Sequence, residues 1–137
     1  MIWLAFPAMV ILAVRLVIVL VNIFTRQWLK EERLSSEPLV SVLIPARNEE
    51  QNLPRILQDL ADHDYSRLEI LVYDDASEDR TAEVVHDFAG RDRRIRYIAG
   101  ISLPGGWLGK NHACHQLAEH AAGEYFLFLD ADVRVYP

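Results

Sequence analysis

Leu39-Val40-Ser41-Val42-Leu43-Ile44-Pro45-Ala46-Arg47-Asn48-Glu49-Glu50-Gln51-Asn52-Leu53-Pro54-Arg55-Ile56-Leu57-Gln58-Asp59-Leu60-Ala61 changes its apolar period half-way along. Residues 39–44 are a continuous, β-branched-rich run closed by Pro45, the composition of a short strand. Over residues 50–61 the apolar positions are Leu53, Ile56, Leu57 and Leu60, the spacing of one helix face. Pro54 fits only a first turn, so the regular helix is predicted to begin near Asn52 or Leu53. An apolar strand, a polar turn and an amphipathic helix form the repeating unit of an α/β protein.

The unit recurs downstream. Residues 68–73 read as a second strand and 81–89 as a second helix, with Ser77 or Asp79 as its cap and Gly90 as its stop. Residues 95–98 read as a short third strand, and 102–109 as a loop around Pro104-Gly105-Gly106. A third helix is expected over 111–122, ended by Gly123. The apolar run 125–129 is the fourth strand. Continuous apolar strands alternating with helices predict a parallel sheet covered on both faces. Right-handed crossovers limit the topology, and the expected strand order is 3-2-1-4. The chain then reverses across the sheet between its first and fourth strands, which opens a ligand crevice at their carboxyl ends.

The chain has 137 residues, enough for one domain. Residues 1–24 are almost wholly apolar and long enough to cross a bilayer as a helix. A signal peptide would need basic residues before the run and a small-x-small site after it, and neither is present. We therefore expect a membrane-spanning helix over 1–25 and a juxtamembrane linker over 26–38. Arg26, Lys30 and Arg33 follow the span and place its C-terminal side in the cytoplasm by the positive-inside rule. Trp3 and Trp28 flank it as interfacial aromatics, and Arg15 within it is expected to snorkel or to meet a partner on another helix. The expected location is thus the inner membrane, with a single N-terminal anchor and a cytoplasmic soluble part. Arg15 and Arg26 are the only charges in the first 26 residues, so the remainder holds all twenty acids against twelve of the fourteen basic groups. That acidic balance argues against nucleic acid as a partner. Cys114 is the single cysteine, so no internal disulfide forms.

Three polar clusters follow strands. Pro45-Ala46-Arg47-Asn48-Glu49-Glu50 follows the first, Asp74-Asp75-Ala76-Ser77-Glu78-Asp79 the second, and Asp130-Ala131-Asp132 the fourth. Their shared position at carboxyl strand ends is stronger evidence than any one of them. Two carboxylates with one residue between them can serve a single hard cation. Lys110 opens the third helix, where its charge is unfavourable unless an anion such as a phosphate sits beside it. His112, Cys114 and His115 lack the spacing and fourth ligand of a zinc site and read as a partly buried, hydrogen-bonded helix, with Cys114 in the core. His63 and His86 read as surface residues.

From Leu39 to Val133 the chain resembles the nucleotide-binding half of a family 2 glycosyltransferase of the GT-A fold. The resemblance rests on four segments in order: 42–50, 72–79, Gly109-Lys110-Asn111, and Phe128-Leu129-Asp130-Ala131-Asp132. It implies that residues 39–137 are an incomplete GT-A domain. It implies a donor site of Pro45, Ala46, Arg47, Asn48, Glu49, Asp74, Asp75, Lys110 and Asp130, binding a nucleotide-diphosphate sugar, typically a UDP-sugar. It also implies that Asp132 with Asp130 coordinates Mg²⁺ or Mn²⁺. The acceptor is expected to be a lipid or polysaccharide at the membrane, and transfer inverts the anomeric carbon. The run Trp107-Leu108-Gly109-Lys110-Asn111-His112 resembles a membrane-anchored subgroup associated with hopanoid or carotenoid lipid modification.

In that family the general base lies beyond the metal-binding carboxylates, so no catalytic base is expected within this chain and the fragment alone is expected to be inactive. A non-catalytic nucleotide-sugar-binding module is the alternative. A dinucleotide-binding oxidoreductase is disfavoured, because the turn after the first strand has no glycine. A nucleotidyltransferase would show a Gly/Arg-rich, Lys-containing loop there, which is also absent.

Overall fold

The structure is a computed structural model in which residues 2–25 and 36–136 are described, with side chains from Phe6 onward. It divides into two units, Met1–Ser35 and Ser36–Pro137. The expected linker 26–38 falls mostly outside the described residues, as do Arg26, Trp28, Lys30, Arg33 and the side chain of Trp3.

Among the described residues the first unit contains one helix, α1 (Ile2–Phe24). Its stretch Phe6–Phe24 has mean hydropathy 2.5, and none of it is buried. By length and composition it can cross a membrane, as expected.

The second unit is β1 (Val40–Ala46), α2 (Leu53–Ala61), β2 (Leu68–Asp74), α3 (Thr81–Ala89), β3 (Ile95–Ala99), α4 (Gly109–His120) and β4 (Tyr125–Phe128). All pairings are parallel and the order is β3-β2-β1-β4, as expected. The twofold alternation of strand side chains divides the core in two. Val42, Ile44 and Ala46 of β1 with Ile70 and Val72 of β2 pack against Leu53, Ile56, Leu57 and Leu60 of α2 and Val85 of α3. Leu43, Leu71 and Tyr73 face the other way, onto Ala113 and Leu117 of α4. Helices thus cover both faces.

Three local readings change. Pro45 does not close the first strand but lies inside β1. Gly123 does not stop the third helix. α4 ends at His120 with Ala121 extended, and Gly123 is needed for close approach instead. A Cβ there would lie 2.7 Å from Ser41 N and 2.9 Å from Leu39 O. Finally, an apolar run predicts a buried strand, yet all four residues of β4 are exposed, Tyr125 by 63%. β4 is an edge strand that pairs with β1 alone among the described residues, and α4 packs over β1 and β2 instead.

Candidate functional site

The site lies where β1 and β4 part. Leu129 N donates to Leu43 O at 3.0 Å. Ala46 O accepts from Asp75 N on the opposite side, so the odd positions of β1 turn their backbone toward β4. The next donor in line toward β4 would be residue 45, a proline without an N–H. The ladder stops there and the chains separate.

A cavity of about 490 Å³ opens at this point, a volume suited to a small-molecule ligand. Of the expected residues it brings together Pro45, Ala46, Arg47, Glu49 and Asp75 on one side and Lys110, Asp130 and Asp132 on the other. Gly109, Ala113 and Ala131 also line it. Gly109 and Ala131 stood within the motifs without a role of their own, and Ala113 was not singled out. Ala113 follows Lys110 by one helical turn, and that spacing was the available signal.

Asn48 and Asp74 do not line the cavity. Asp74 is buried. Its Oδ1 accepts from Ser77 N at 2.9 Å and its Oδ2 from Tyr97 Oη at 2.9 Å. Burial and this bond to Asp74 raise the Tyr97 hydroxyl pKa, keeping it a donor. Asn48 stands in the left-handed region at φ 56°, which Asn tolerates better than most residues. Its N–H donates to Ser77 Oγ at 2.9 Å, and its Oδ1 accepts from Glu78 N at 2.8 Å.

These bonds belong to a larger stitch between the two turns. Glu49 N donates to Thr81 Oγ1 at 2.8 Å and Glu50 N to Asp79 Oδ2 at 3.1 Å. Arg80 N donates back to Glu50 Oε2 at 3.1 Å, and Thr81 N to Asp79 Oδ1 at 2.9 Å. The N-cap position of α3 is Arg80 rather than the expected Ser77 or Asp79; Asp79, one residue earlier, still accepts from the first turn, whereas Ser77 serves the other turn. Much of the polar sequence after β1 and β2 is thus spent on fixing the two turns to each other. Thr81 and Tyr97 complete this support, and no local sequence signal marks them.

The cavity walls carry opposed charges. Lys110 Nζ lies 2.6 Å from Asp130 Oδ1. That bond raises the lysine pKa, so the ammonium stays charged. Arg47 and Asp75 lie 3.6 Å apart. Asp75 Oδ2 would lie 2.9 Å from a Cβ at residue 109, and glycine there leaves the carboxylate room. Among the described residues no side chain caps α4, so its first N–H groups stay available at the cavity wall. Ala131 is buried in the core while Asp130 and Asp132 on either side are exposed, so one alanine anchors both carboxylates. Four carboxylates against two cations leave the lining acidic. Among the described residues no three acidic, His or Cys side chains converge to hold a metal on their own.

The family 2 glycosyl transferase profile matches residues 41–137. This chain belongs to glycosyl transferase family 2. Its relatives include the 4,4'-diaponeurosporenoate glycosyltransferase of Staphylococcus haemolyticus (strain JCSC1435), 38% identical over 96 residues, covering 70% of this chain and 24% of that protein. The enzyme of the same name from Staphylococcus aureus (strain USA300) is 31% identical, covering 79% and 28%. Among solved structures, the mannosyltransferase PcManGT from Pyrobaculum calidifontis, in complex with GDP-Man and Mn²⁺, superposes with TM-score 0.65 at 26% identity, covering 81% of this chain and 32% of that one. S. aureus TarS 1–349 in complex with UDP-GlcNAc gives TM-score 0.54 at 31% identity, covering 69% and 26%. The chain therefore spans about a quarter of the length of these curated relatives.

The helix histidines complete the region. His112 is buried with its Nδ1 unpartnered, which corrects the expectation of a hydrogen-bonded residue. It is held by edge contacts to Tyr73 and Trp107, while His115 stacks on Trp107. Burial pushes the Cys114 thiol pKa up, so it is a poor nucleophile.

Proposed function

We propose that this chain is the donor-binding half of a membrane-anchored glycosyltransferase. It would take a sugar from a nucleotide diphosphate, UDP by expectation, and pass it to a lipid or polysaccharide hydroxyl. The convergence of Asp75, Lys110, Asp130 and Asp132 on one cavity at the β1–β4 crevice carries this reading. The nucleotide sugars held by PcManGT and TarS support it. The name of the staphylococcal relatives supports a carotenoid-type lipid acceptor. The apolar helix α1 would be the anchor, with the sheet domain on the cytoplasmic face.

In this reading residues 45–47 and Glu49 border the base and ribose, and Asp75 accepts a hydrogen bond from the base. Asn48 and Asp74 act from behind as positioning residues, through the stitched turns. Asp130 and Asp132 supply hard oxygen donors in an acidic cavity, and this donor set fits Mg²⁺ or Mn²⁺. Such ions are commonly held by one or two carboxylates together with substrate phosphates. When bound, the cation offsets charge that develops on the leaving diphosphate. Lys110 and the free N–H groups of α4 face the same diphosphate. The acceptor hydroxyl oxygen displaces it from the anomeric carbon with inversion, and the base that takes the hydroxyl proton is assigned to no residue of this chain.

The test is calorimetric titration of the full chain, held in lipid nanodiscs, with UDP, GDP and TDP, each with and without Mn²⁺. Metal-dependent binding of one nucleotide, lost in Asp132→Ala, is expected. Absence of binding by a folded chain overturns the reading. Binding without transfer to a supplied acceptor is the expected outcome for this chain, because no residue of it is assigned as the base.

A further inference from the structure

Residues 100–108, between β3 and α4, are nine successive exposed positions. Loops of this kind are normally polar. Here the stretch from Gly100 to Gly109 has no charged side chain. Ile101 is 57% exposed, Leu103 49%, Trp107 42% and Leu108 71%. Four large apolar groups in eight residues exceed the scattered apolar exposure of an ordinary surface.

The loop is held by specific bonds. Gly100 N donates to Asp74 O at 2.8 Å, and Ile101 N donates to Tyr73 Oη at 3.0 Å. At the other end the Trp107 ring stacks on His115, 5.2 Å between centroids. The apolar side chains are thus presented outward from a fixed base. The sheet order places β3 and β4 at opposite edges. The loop thus begins at the β3 edge of the sheet, across from β4.

We propose that the loop from Ile101 to Leu108 docks into the interface of the bilayer that holds α1. The proposal rests on the reading of α1 as a membrane anchor. Residues 25–39 join α1 to β1, and fifteen extended residues reach at most about 55 Å. A bilayer around α1 is therefore within reach of the sheet domain. Tryptophan favours the headgroup level of a membrane, where one side of the ring is apolar and its N–H is wet. The acidic balance outside α1 makes this contact apolar rather than electrostatic, so it needs no anionic lipid. Docking brings the cavity wall at Gly109 and Lys110, which follow the loop directly, toward the membrane surface, where an apolar acceptor is presented.

The test uses the full chain with Trp3→Phe and Trp28→Phe, leaving Trp107 as the only indole. The chain is reconstituted into phosphatidylcholine vesicles, plain or brominated near the headgroup end of the acyl chain. Flotation after an alkaline carbonate wash reports α1, and Trp107 emission reports the loop. The expected result is a chain that floats, with Trp107 blue-shifted and quenched about twofold or more by the brominated lipid. Adding Ile101→Asp and Leu103→Asp should leave flotation intact and abolish the quenching. A chain that floats with Trp107 unquenched overturns loop docking and leaves the anchor standing. A chain that washes off the vesicles overturns the anchor reading and the docking with it.

Discussion

Thr81 is fully buried, and its hydroxyl joins two turns by accepting from Glu49 N. Thr81→Val keeps the shape but leaves that N–H without its partner. An unsatisfied buried donor costs about 1–3 kcal/mol, so the urea midpoint should fall accordingly, with donor affinity weakened because Glu49 borders the cavity. Lys110 carries a different expectation. Its charge faces Asp130 at 2.6 Å without being buried, so Lys110→Gln should change stability little. A charge-assisted hydrogen bond to a diphosphate contributes about 1.5–3 kcal/mol, so nucleotide affinity should drop roughly tenfold or more by calorimetry. Unchanged affinity would remove Lys110 from the donor site. Both residues stood in the sequence, but only Lys110 carried a signal, a cation at a helix start. Thr81 looked like an ordinary first-turn residue, because its partner is thirty-two positions away.

The connection between α4 and β4 is a tight joint in the sheet. Gly123 N donates to Ser41 Oγ at 2.9 Å, and Glu124 N donates to Leu39 O at 2.8 Å. A methyl group at residue 123 meets backbone atoms of β1 and cannot be relieved by a side-chain rotation. Gly123→Ala should destabilise the domain by about 1–3 kcal/mol, the usual cost of overpacking, read as a lower urea midpoint. A stable Gly123→Ala protein would show that β4 can shift along β1. Pro45 acts at the same pair of strands in the opposite sense, by ending their ladder. Strand and helix identities were legible from the apolar periods. The tasks of Pro45 and Gly123 were not, because each depends on the neighbouring strand.

Glu69 ties three parts of the domain together. Its carboxylate accepts from Ser41 Oγ, Ala122 N and Arg96. Burial pushes its pKa up, but these bonds outweigh that and hold it below the ordinary value. The same balance holds for Asp79 through Thr81 and Glu50, and the Arg94 bond holds Asp92 down. Groups with lowered folded pKa values stabilise the fold fully above the unfolded carboxylate range, about pH 4–4.5. That contribution is lost as pH falls through the lower folded values, because the unfolded chain then binds more protons. The urea midpoint should therefore fall steeply below that range. Glu69→Gln should be less stable at neutral pH and less sensitive to acid, and an acid profile parallel to that of the parent chain would exclude Glu69 as a contributor.

The α/β class, the 3-2-1-4 order, the apolar helix and the family were all determined by the sequence, because periodicity and motif order are properties of the chain itself. The three polar clusters were visible for the same reason. Tertiary structure alone decided how those clusters divide. It turned Asp75, Asp130 and Asp132 into the cavity, and Asn48, Asp74 and Asp79 into the bonds that hold its walls. A local sequence shows that a carboxylate follows a strand. Whether that carboxylate faces a ligand or a neighbouring backbone N–H depends on what the packed sheet brings beside it.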